Sequence, residues 1–127
     1  MIDKEFVPYE PALELKELGF DEPCIMAYIG KDKQLYSNCD DFLHLNAIDV
    51  LNPLKAPTFS QSFRWFREKC ELYSCINNFT EELGNKKVYF IYEIRNPEQF
   101  ELSETYNTYE EAELACLIKL IEIVKNK

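Results

Sequence analysis

The chain has 127 residues, 46% of them hydrophobic and 14% aromatic, and a formal charge of −9 from 23 acidic against 14 basic side chains. A chain of this length buries a core without a metal or disulfide staple, and its charge sets it at a disadvantage against phosphate backbones and anionic lipid. The opening MIDKEFVPYE lacks both the basic and the apolar part of a signal peptide. The longest apolar run, ACLIKLIEIV, is broken by Lys119 and Glu122 and falls short of the roughly 20 residues that span a bilayer.

In chain order, Pro8 to Leu18 predicts a first helix, since proline is tolerated in a first helical turn. Gly19 is placed to close it in the left-handed conformation, with Phe20 folding back on Leu15. Ala12, Leu15 and Leu18 form its inner face, and Glu10, Glu14 and Glu17 an outer acidic stripe. CIMAYIG, Cys24 to Gly30, reads as a strand, and after the turn KDKQ a return strand starts at Leu35 and Tyr36. The segment from about 37 to 55 has no clean period and reads as irregular, with one short helix or strand near Phe42 to Leu51.

A second helix begins at Thr58, where Thr58 and Gln61 fit a capping box, and runs to about Cys70. Phe59, Phe63, Phe66 and Cys70 fall on one stripe of it, and Trp65 lies roughly 130° from that stripe by helical geometry. Two readings of Trp65 follow. Either the ring packs under the irregular segment, or Trp65 with Arg64 and Arg67 forms a contact surface, since tryptophan and arginine dominate binding interfaces. ELYSCINNF, KKVYFIYEIR and Phe100 to Thr105 then read as three strands joined by the turns TEELGN and NPEQ.

The last helix opens on a second capping box, Thr108 to Glu111, and runs to about Val124. One apolar face holds Leu114, Leu117, Ile118, Ile121 and Val124, and a second holds Ala112, Cys116, Leu120 and Ile123. A helix apolar on most sides is either central in its domain or covered by another chain. On the second reading Cys116, Leu120 and Ile123 form a self-association surface. Residues 96 to 113 contain six glutamates and no base, and Glu98, Glu101 and Glu104 are the candidates there for a basic partner protein, against the plainer reading of a solvated face. The order α-ββ-α-βββ-α predicts a single α+β domain over residues 1–127, an antiparallel sheet with helices on one face.

Chemistry is poorly marked. His44 is the one histidine, and GxSxG, Walker and GxGxxG patterns are missing from a chain with three glycines. Five cysteines, Cys24, Cys39, Cys70, Cys75 and Cys116, form no CxxC pair, so neither a zinc site nor a marked nucleophile is indicated. The expectation is a non-enzyme with no catalytic, cofactor-binding or metal-binding residues.

The blocks EFVPYEPALELKELGFDEPC, APTFSQSFRWFREK and TYEEAELACLIKLIEIVKNK resemble a group of small uncharacterised proteins from phages and mobile elements of gut Bacteroidales bacteria. The likeness covers somewhat under half the chain, and residues 30 to 52 and 71 to 99 depart from it. It implies a small accessory protein in a bacterial host cytoplasm, of a kind that acts by binding host or phage proteins. The residues themselves add a homodimer, through the last helix, among the readings, and no membrane partner. The alternative from another class is a nucleic-acid-associated module, in which the aromatic strand VYFIY and the Arg64 and Arg67 patch form a platform. That alternative requires the strand aromatics to be exposed, and the overall charge counts against it.

Overall fold

A computed structural model describes residues 2–30, 33–37, 53–82, 84 and 86–127. His44, Cys39 and the short element expected near 42–51 lie outside the described residues. The chain divides into two compact units, Met1–Gln61 and Ser62–Lys127. The fold is α+β, and the expected element order is matched apart from one added strand. One sheet was expected; there are two three-stranded antiparallel sheets, one in each unit.

In the first unit a 3-10 turn, Ile2–Glu5, leads into helix α1, Tyr9–Glu17. Pro8 caps the helix in an extended conformation. Its other end closes as the sequence predicts: Gly19 takes φ +105°, Gly19 N donates to Lys16 O, and Phe20 N donates to Leu15 O, both at 3.0 Å. These bonds satisfy carbonyls that a helix end leaves unpaired, and they seat Phe20 over the fully buried Leu15. Strand β1, Met26–Ile29, pairs with β2, Gln34–Ser37, on one side. On its other side it pairs with β3, Leu54–Lys55, which the sequence reading did not anticipate.

β3 is too short to show a period, but its setting explains it. Ala56 precedes Pro57, and a residue before proline is pushed into extended geometry. Ala56 N continues the pairing by donating to Met26 O at 3.0 Å. A local strand thus occupies the β1 edge of the β1–β2 hairpin.

Helix α2, Phe59–Cys70, starts where expected. Only the hydroxyl half of its capping box forms: Gln61 N donates to Thr58 Oγ1 at 3.1 Å, whereas the Gln61 side-chain amide donates to Pro23 O at 2.7 Å. The box residue is used as a tertiary tie instead.

In the second unit β4, Tyr73–Thr80, β5, Val88–Arg95, and β6, Phe100–Leu102, form a sheet in that order. The NPEQ turn is built on Asn96, whose Oδ1 accepts from Glu98 N at 2.8 Å and Gln99 N at 2.6 Å. Helix α3, Tyr109–Lys125, is capped by Thr108, whose hydroxyl accepts from Glu111 N at 3.1 Å, and packs on β5 and β4.

The two apolar faces expected on α3 merge into one. Ala112, Cys116, Leu117, Leu120 and Ile121 are buried, while Ile118 is 48% exposed and Leu114, Ile123 and Val124 are half-buried. At 100° per residue the buried positions sweep about 180°, because the two rows adjoin on one side of the helix. Cys116 and Leu120 are 0% exposed in the single chain, so they have no surface to offer a second copy, and the self-association reading of these two gives way to internal packing.

Of the two readings of Trp65 the buried one holds, though the segment expected to cover it lies largely outside the described residues. Trp65 is only 6% exposed and stands edge-on to Phe66, with ring centroids 5.0 Å apart. The buried face of α2 runs through Phe59, Ser62, Trp65 and Phe66, with Phe63 and Cys70 half-buried. It is rotated by about 60° from the expected stripe of Phe59, Phe63, Phe66 and Cys70. Ser62, small and fully buried, sits at its centre.

Candidate functional site

The residues proposed from the sequence as contacts do not gather in one place. Trp65 is core, and Arg64 and Arg67 are exposed on α2. Glu101, opposite Ile94 on β5, is held by Lys119 of α3 at 3.7 Å. Glu98 lines an open cleft of about 450 Å³ with Glu71, Ile123 and Lys127. Glu104 is exposed, and its carbonyl accepts from Ser103 Oγ at 2.6 Å.

What the fold does assemble is one face of the β4–β5–β6 sheet. Side chains alternate across a strand, so each pairing assigns two residues to one side. Ser74, Ile76, Phe90, Tyr92 and Ile94 share a face, and Tyr92 and Ile94 on it are buried. Aromatic pairs support this face: Tyr92 stacks on Tyr106 at 6.3 Å, and Phe90 meets Tyr109 edge-on at 6.1 Å. Beneath it lies Cys116, whose thiol burial pushes up to about 12, against an opposing hydrogen bond from Ser74.

The opposite face carries Tyr73 across from Arg95, Cys75 from Glu93, Asn77 from Ile91 and Phe79 from Tyr89. Leu102 adjoins Glu93 and Phe100 adjoins Arg95. Here large apolar groups meet water: Tyr73 is 49%, Phe79 42%, Phe100 52% and Leu102 53% exposed. Phe79 stacks on Tyr89 at 5.8 Å, and Lys87 Nζ lies 5.2 Å from the Tyr89 ring. The Arg95 guanidinium lies 4.5 Å above the Phe100 ring. The cations beside the exposed rings are thus Lys87 and Arg95, in place of the Arg64 and Arg67 pair that the platform reading assumed. Geometry of this kind pre-orders the rings at low entropic cost, since each is already braced by a neighbour.

The centre of the face is polar. The Cys75 thiol donates to Glu93 Oε2 at 3.3 Å, and Asn77 Nδ2 donates to Cys75 Sγ at 3.7 Å. A depression of about 100 Å³ runs along Tyr73, Ser74, Cys75, Glu93 and Arg95. Burial and the adjacent Glu93 carboxylate push the Cys75 thiol above its ordinary value. Burial likewise raises Cys24 and Cys70. These thiols stay protonated near neutral pH, the unreactive form for a nucleophile.

This face is not conspicuous in the sequence, where Trp65 and the glutamates stand out by residue type. The available signal was the alternation Tyr73, Cys75, Asn77, Phe79, which places two aromatics on the side of β4 away from Ile76. Among the described residues no group of three or more His, Cys, Asp and Glu side chains is placed to hold a metal ion, and no helix is long and apolar enough to cross a membrane. No protein-family model matches the chain, and neither a curated protein nor a solved structure proves similar to it.

Proposed function

We propose that this chain is a small non-enzymatic accessory protein of phage or mobile-element origin that acts in a bacterial host cytoplasm by binding another protein. Its contact surface is the outer face of the β4–β5–β6 sheet. The observation that carries the reading is the exposure of Tyr73, Phe79, Phe100 and Leu102 on one side of one sheet. Exposed apolar groups concentrated on one surface mark binding sites more often than scattered ones do. Aromatic anchors beside an arginine, with a polar centre, match the make-up of interface hot spots.

The test replaces Phe100 and Leu102 by Asp together and compares capture from host lysate with the unaltered chain. A partner held by the unaltered chain and lost by the variant, with an unchanged circular-dichroism spectrum and melting temperature, supports the reading. Equal capture by both removes this face from the function.

The stacked Phe79–Tyr89 pair with Lys87 beside it favours one other reading, a platform for single-stranded nucleic acid. The net charge of −9 and Glu93 on the same face oppose it. Binding of an oligonucleotide at low salt, abolished by Phe79→Ala, would favour this platform over a protein partner.

A further inference from the structure

β4 is the outer strand of its sheet, eight residues long, with no proline and no charged side chain. Soluble proteins ordinarily guard such an edge with lysine, proline, a bulge or a very short strand. The opposite edge is guarded in that way, since β6 has three residues and includes Glu101.

The direction of the backbone groups on β4 follows from the register. Glu81 N donates to Lys87 O at 3.0 Å, continuing the ladder in which Phe79 faces Tyr89. Odd-numbered residues of β4 therefore bond to β5. The next strand edge agrees, for Phe90 exchanges both its bonds with Tyr106, at 2.9 and 2.7 Å. In an antiparallel ladder the alternate residues turn both groups the other way. Ser74, Ile76, Asn78 and Thr80 thus direct N–H and C=O to the open edge. Among the described residues none of these groups is bonded there by backbone outside the sheet.

We infer that β4 is a self-pairing edge: two copies of the chain join antiparallel through β4, about a two-fold axis at Asn77, into one six-stranded sheet. Symmetry and charge select the occupant. The four open residues lie evenly about Asn77, so Ser74 meets the partner's Thr80 and Ile76 meets the partner's Asn78, and all four are bonded on both copies. Moving the axis to Ile76 sets Glu71 against the partner's Glu81; moving it to Asn78 carries Ser74 past the strand to the partner's Glu82. With the axis at Asn77, Glu81 faces the partner's Tyr73 and no carboxylate faces another, which avoids the penalty of like charges placed opposite.

Two copies of a chain charged −9 repel over most of their surface, but residues 72–80 are uncharged, so β4 meets its own copy without that repulsion. A charged peptide from another protein finds no countercharge on β4, whereas a second copy matches it in length, register and neutrality. Pairing also sets Phe79 beside the partner's Cys75, which joins the two aromatic faces into one. The inference concerns the edge and stands without the binding role of the face.

Cysteine cross-linking tests it. In a Cys75→Ser background, Asn77→Cys brings two thiols together at the axis, where facing Cα atoms lie about 4.5 Å apart, within disulfide reach. Phe79→Cys in the same background sets the thiols several residues apart and serves as the register control. Mild oxidation is expected to cross-link the first variant at least tenfold faster than the second. Asn78→Pro, which removes an N–H aimed only at the open edge, is expected to cut the dimer fraction in light scattering while circular dichroism stays native. Equal cross-linking of the two cysteine variants overturns the inference whatever mass is measured. A dimer that survives Asn78→Pro with its fold intact overturns it as well.

Discussion

β1 lies between strands of four and two residues, whereas the second sheet ends in an eight-residue uncharged strand. The large apolar side chain exposed in the first unit, among the described residues, is Ile25. The second unit exposes Tyr73, Phe79, Val88, Phe100, Leu102, Tyr109 and Ile118. Both sheets are antiparallel and three-stranded, so architecture does not cause the difference. Composition does: one face of the second sheet carries the exposed Tyr73, Phe79, Phe100 and Leu102, while helix α3 packs against β5 and β4, with Tyr92 and Ile94 buried on the other face. Apolar groups in water contribute little to folding, so the contrast separates residues that hold the protein together from residues free to bind.

The largest expected effect tests the buried side of that contrast. Trp65→Ala should cost about 3–5 kcal/mol in urea unfolding, as for other buried large-to-alanine changes. A cost under about 1 kcal/mol would return Trp65 to the surface.

Next comes Cys116, beneath the inner face. The unfolded thiol ionises near the ordinary 9.0 and the folded one only near about 12. Its protonated form is therefore favoured by folding, so its contribution is whole below pH 9 and is lost as pH rises from 9 toward 12. The loss is on the order of a few kcal/mol. Thermal melts against pH should show a steep alkaline fall that Cys116→Ala flattens, and an equal fall in the variant would clear the thiol.

In the first unit, Gly19→Ala should destabilise by roughly 1–2 kcal/mol through backbone strain at φ +105°, because its added methyl meets no atom within 4 Å. Thr108→Ala should cost about 1 kcal/mol by removing the cap on α3, a change that Thr108→Ser restores. The smallest effect falls on the outer face. Phe100→Asp with Leu102→Asp should shift stability by under about 0.5 kcal/mol, and a larger loss would show that these side chains serve the fold.

Local chemistry made much of this protein legible. The Gly19 closure, both threonine caps, the hairpin and the three later strands each depend on a few adjacent residues, and each forms close to where the sequence placed it. Capping residues and strand alternation act over one turn or one strand, which is the range a sequence reports directly. The reading failed where a residue's partner is distant in the chain. Capping-box spacing assigns Gln61 to its own helix, whereas its amide reaches Pro23. β3 forms its ladder with β1, which lies far earlier in the chain.

The sequence by itself determined the described helices, most of the strands and the net charge of −9. Tertiary structure alone decided that Trp65 and Cys116 are interior, that the strands close into two sheets, and that, among the described residues, one aromatic face is exposed and one edge of β4 is unpaired. The reason is that periodicity shows which side chains share a face, but a face is buried only when another element lies against it. Which element does so depends on the packing of the whole unit.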